Sequence, residues 1–96
     1  MQLEDLQTEL RALKPMLARE HQVAEIGVFG SVARDEQRAD SDVDLLVEFD
    51  GPVSLFDLVR LEDELADRLG VEVDLVTKES LKPRIGDRVD EDLVYV

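Results

Sequence analysis

At 96 residues the chain can bury one modest hydrophobic core but not two, so a single domain over residues 1–96 is expected, with no separate substrate-recognition module. Its 11 Lys and Arg stand against 24 Asp and Glu, and the net charge of −13 disfavours gripping nucleic acid by neutralising phosphates, fitting a basic protein partner or bound cations better. Cysteine is absent, which excludes disulfides and thiolate metal sites; no apolar run nears the roughly 20 residues that span a bilayer, Met1 to Asp5 lacks a basic signal-peptide start, and a soluble cytoplasmic protein is expected.

Leu3, Leu6, Leu10, Leu13 and Leu17 recur at steps of three and four, which predicts one face of a helix from about Gln2 to Glu20, with Pro15 bending its last turn. That stripe has two destinations open to it, the domain's own sheet or a partner helix. Val23 to Phe29 reads as a buried strand ending at Gly30. Ser31 is suited to cap a short helix through about Gln37, because its hydroxyl can accept from an N–H two or three residues on, and Arg38 to Ser41 form a polar turn. Val43, Leu45, Leu46, Val47 and Phe49 predict a second strand, ended by Gly51-Pro52.

Ser54, with Asp57 three residues later, resembles a capping box that opens the next helix; Leu58, Leu61, Leu65 and Leu69 supply its apolar face and Gly70 its stop. Val71, Val73, Leu75 and Val76 predict a third strand. The tail from Glu79 to Val96, broken by Pro83 and Gly86, is expected to form a short helix or turn before an ordered Val94-Tyr95-Val96 end. The order α-β-α-β-α-β belongs to the α/β (α+β) class.

The chemistry lies in two motifs. Gly30-Ser31 closes an apolar strand, where glycine lets the backbone approach a ligand and the N–H groups of a helix start attract phosphate; the alternative is a turn that only turns. Asp42 and Asp44, two apart at the start of a strand, point the same way and gather negative charge, unless they and Asp40 belong to a solvated turn. Asp74 stands mid-strand among valines and leucine, an environment that favours a cationic partner. A metal shared by Asp42, Asp44 and Asp74 meets that need, and hard oxygen ligands suit Mg²⁺, which commonly keeps waters and binds substrate phosphates.

Two other readings of these residues fail. Asp40, Asp42 and Asp44 match the first three ligand positions of an EF-hand loop, but Leu45 occupies its glycine position and Gly51 its terminal glutamate. The chain also has no Gly-x-x-x-x-Gly-Lys-Ser/Thr phosphate loop.

Gly30-Ser31, then Asp42-Val43-Asp44, then Asp74 resembles the signature of the nucleotidyltransferase superfamily related to DNA polymerase beta. The stretch GSVARDEQRADSDVDLLVEF and the ending from Leu81 to Val96 are similar to the minimal nucleotidyltransferase antitoxins of the MntA type, and the likeness covers nearly the whole chain. Asp35 departs from it, standing where many relatives have glycine after the arginine. The resemblance implies a minimal polymerase-beta-like fold, a small mixed sheet flanked by helices. It also implies transfer of AMP from ATP to a tyrosine hydroxyl of a partner HEPN-domain RNase toxin. Asp42, Asp44 and Asp74 are then the catalytic residues and the ligands of two Mg²⁺ ions, and Gly30 and Ser31 hold the nucleotide phosphates.

Arg34 either neutralises phosphate or pairs with a nearby carboxylate, His21 is expected as a surface residue, and Tyr95 as terminal packing rather than an acceptor. Two rival functions stay open: an antitoxin that neutralises by binding alone, and a transferase that modifies a small molecule or nucleic acid through a separate substrate-binding subunit. Direct nucleic-acid and membrane binding by this chain are not expected.

Overall fold

The computed structural model describes residues 2–30, 32–33, 42–77 and 93–96. Within them the order is α1 (Leu3–His21), β1 (Val23–Phe29), β2 (Val43–Phe49), α2 (Leu55–Leu69), β3 (Val73–Thr77) and β4 (Val94–Tyr95). The short helix expected from Ser31 to Gln37 and the tail before Leu93 fall outside the described residues.

α1 begins where the Asp5 carboxylate accepts from the Gln2 backbone N–H at 3.4 Å, with Glu4 and Asp5 in its first turn and Arg19 and His21 in its last, each sign matched to the helix dipole. It runs through Pro15 and closes at Gln22, which adopts φ 59. Leu6, Leu10 and Leu17 are fully buried and Leu3 and Leu13 pack beside them, so the leucine stripe lies against the chain's own core. α2 opens on a reciprocal cap: Ser54 N–H donates to Asp57 Oδ2 at 2.9 Å, and Asp57 N–H donates to Ser54 Oγ at 3.2 Å. Those bonds, the backbone one first, hold the Asp57 carboxyl below its ordinary value of 3.8.

The four strands form one mixed sheet in the order β3-β2-β1-β4. β1 lies antiparallel between β2 and β4, while β2 and β3 run parallel, joined by α2 as the crossover. β3 starts at Val73 rather than Val71, because the left-handed turn at Gly70 places Val71 and Glu72 before the ladder. Ile26, Val28, Val43, Leu45, Val47, Val73 and Leu75 share a core with Leu6, Leu10, Leu17, Leu61 and Leu65 of the helices. Both helices therefore cover one sheet face, and the alternate residues of the strands look the other way. Among the described residues no helix is long and apolar enough to cross a membrane.

Candidate active site

The sheet face opposite the helices carries the acids at its β2 and β3 entrances. Asp44 is the second residue of β2 and half-buried; in the parallel ladder its Cα partner on β3 is Asp74, which is exposed. Neighbouring strands lie roughly 4.8 Å apart, and directly paired residues of a parallel ladder present side chains on the same side. Val43 and Val73, also partners, are buried on the core side, so Asp44 and Asp74 stand together on the opposite one. Asp42, exposed and immediately ahead of β2, alternates with Val43 onto the acidic side. The start of β2 is fixed by Val43 N–H donating to the Glu72 carbonyl at 2.9 Å, which holds the two strand entrances level.

The β1 end arrives at the same place. Phe29 pairs with Asp44, and the chain leaves β1 through Gly30 at φ +76. A Cβ on Gly30 would lie 3.0 Å from Asp44 Cγ and 3.2 Å from Asp44 Cβ, and would overlap Oδ2. The glycine turn therefore passes directly against the Asp44 carboxylate, a proximity that the sequence spacing does not reveal. Two residues on, Val32 is 2 % exposed and belongs to the hydrophobic core, so a buried side chain tethers the turn. Ser31, Arg34 and Asp35 lie outside the described residues, as does Asp40.

Two supporting residues escaped the sequence reading. Val32 is one; its apolar character so soon after Gly30 is the only local signal. Glu62 is the other: its carboxylate accepts from the Leu75 backbone N–H at 3.0 Å, pinning β3 one residue beyond Asp74. Its place beside Leu61 and Leu65 at the edge of the apolar stripe gives a weak indication that it faces the sheet. His21 ends α1 and lines a polar depression of about 630 Å³ with Glu20, Arg60, Asp63, Glu64 and Asp67, none of them among the predicted site residues. Tyr95 is 46 % exposed and pairs with Gly27 on β1.

The chemistry of the donors suits a hard divalent cation, and the gap at Gly30 keeps the backbone close to Asp44 without a side chain between them. Among the described residues, however, no group of three His, Cys, Asp or Glu side chains is gathered tightly enough to hold a metal. Asp44 and Asp74 are neighbours by register, and Asp42 flanks them from outside the strand.

The profile of the nucleotidyltransferase domain family matches residues 10–96. The protein adenylyltransferase MntA of Thermococcus cleftensis is 47% identical over 94 residues, covering 98% of this chain and 95% of that protein. A solved structure assigned as a minimal nucleotidyltransferase shares 42% identity at a TM-score of 0.82, covering 98% of this chain and 95% of the other. The crystal structure of a toxin-antitoxin with AMP-PNP is similar at a TM-score of 0.74 and 26% identity, covering 91% of this chain and 70% of the other.

Proposed function

This chain belongs to the nucleotidyltransferase domain family and is a nucleotidyltransferase; from that premise we propose that it is an antitoxin that transfers AMP from ATP to a tyrosine hydroxyl of a partner HEPN-domain RNase toxin. The observation that carries the reading is the pairing of Asp44 with Asp74 beneath the Gly30 turn. The kinship with a protein adenylyltransferase and with a toxin-antitoxin structure holding AMP-PNP supports the nucleotide and the kind of acceptor.

In this reading Asp44 and Asp74, neighbours by register, with Asp42 beside them, would hold Mg²⁺ once substrate phosphate oxygens complete a set that the described side chains do not close by themselves, and the ion would neutralise the charge on the triphosphate. The chain's own groups do the remaining work. The Asp74 carboxylate takes the proton from the tyrosine hydroxyl as the phenolic oxygen bonds to the α-phosphorus. The bond from that phosphorus to the bridging oxygen breaks, and pyrophosphate leaves with the electron pair. Backbone N–H groups at Gly30 and Ser31 are the groups to hold the departing phosphates, a role that the close approach of Gly30 to Asp44 supports.

The test uses ATP labelled at the α-phosphate, Mg²⁺ and a purified HEPN-domain RNase toxin as acceptor. Label is expected on a toxin tyrosine, and Asp44→Asn should slow its appearance by about a hundredfold to a thousandfold. No transfer by the wild-type chain, or undiminished transfer by Asp44→Asn, overturns the catalytic reading. Label on RNA or a small molecule overturns the acceptor.

A further inference from the structure

The first turn of α2 is unusual for a helix whose inward side is so well packed. Leu61 and Leu65 are fully buried, yet Leu55 is 74 %, Phe56 82 % and Val59 49 % exposed. Val59 lies four residues after Leu55 and three after Phe56, so the three side chains form one contiguous patch on the helix surface. Beside it opens a cavity of about 420 Å³ lined by Phe49, Pro52, Val53, Leu55, Leu58 and Thr77. A projecting aromatic next to an apolar recess is the arrangement of an interface anchor, and a large exposed apolar patch on a small protein marks a contact surface.

Charge selects the occupant. Asp50 is exposed beside the recess, and the turn of α2 after Val59 brings Glu62 and Asp63, against Arg60 as the cation on that stretch of helix. A second copy of the chain would set −13 against −13, which opposes self-association. We propose that the Leu55-Phe56-Val59 patch and its neighbouring recess dock the protein that is adenylylated, through an apolar anchor ringed by Lys and Arg. The identity of that protein rests on the function proposed above; the surface does not. The carboxylates lie on the opposite sheet face, but Thr77 belongs to β3, the edge strand of the described sheet, and pairs with Val47 three residues beyond the Asp44–Asp74 pair, so a protein-sized partner seated here reaches them only around that edge.

Calorimetric titration with the HEPN protein, paired with labelled transfer, tests the surface. Phe56→Asp should raise Kd about thirtyfold or more. The melting temperature of the free chain should stay unchanged, since Phe56 packs little and an acid near a helix start is favoured. Asp63→Lys should weaken binding several-fold and flatten its salt dependence. If Phe56→Asp abolishes binding while the wild-type chain transfers no label, docking stands and the catalytic reading falls. If the wild type transfers label and Phe56→Asp binds and transfers equally well, docking falls and catalysis stands. A wild-type chain that does not bind the HEPN protein, a free Phe56→Asp chain that melts well below wild type, or a wild-type dimer that Phe56→Asp dissolves each overturns the proposal.

Discussion

Gly30 and Gly70 adopt nearly the same backbone conformation, φ +76 and φ +70, for different reasons. At Gly70, which closes α2, an added Cβ would meet nothing within 4 Å, and its backbone N–H donates to the Ala66 carbonyl at 2.9 Å. Only the left-handed turn requires glycine there. At Gly30 the same conformation coincides with a carboxylate packed against the α-carbon, so a side chain meets both backbone strain and the body of Asp44. One glycine is therefore scaffold, and the other is packed against a carboxylate of the candidate site. Equal dihedral angles conceal that difference; the neighbouring atoms expose it.

Substitution by alanine should separate the two. Gly30→Ala carries the largest expected effect: by displacing the Asp44 carboxylate it should slow AMP transfer about a hundredfold, read from single-turnover label incorporation at saturating ATP. A rate within a factor of about three of wild type would break the comparison. Gly70→Ala should destabilise by about 1 kcal/mol, the ordinary cost of forcing alanine left-handed, and leave the transfer rate of the folded protein unaltered. Denaturant unfolding measures the first quantity and the same transfer assay the second. A fall in rate at Gly70→Ala would mean that α2's C-terminal turn also positions the acids.

The smallest effect belongs to the opposite end of the same helix. Asp57 is held below its ordinary value of 3.8 by the Ser54 hydrogen bonds. Its ionised form therefore stabilises the fold above the unfolded pKa, and that contribution is lost as pH falls through the lower folded value. The stability gap between wild type and Asp57→Asn should be constant near neutrality and should narrow below about pH 4, followed by urea unfolding from pH 7 to pH 3. A gap unchanged across that range would show that the carboxyl's charge contributes nothing to the cap, leaving Gly70 as the α2 terminus that matters.

Much of the scaffold was legible because its signals are local. Leucines at three- and four-residue steps located α1, Ser54 and Asp57 located the start of α2, and Gly70 its end, since capping and helical periodicity act within a few residues. Alternation likewise put Asp42 and Asp44 on one side of their strand. For α1's stripe the small size of the domain favoured its own core over a partner helix, although an apolar face suits either, and burial of Leu6, Leu10 and Leu17 in the chain's own core bears that out. The exposed first turn of α2 was missed for a similar reason. Nothing near Leu55 and Phe56 in the chain says that they point away from the core.

By itself, then, the sequence determined the elements, the acidic character and which carboxylates could share a face. Only the tertiary structure decided that β2 and β3 are parallel neighbours in a register that sets Asp44 against Asp74, and that the Gly30 turn closes over Asp44. The reason is physical. Periodicity and capping are fixed by contacts between residues a few positions apart, whereas strand order and register are chosen by how the whole set of apolar faces is buried at once.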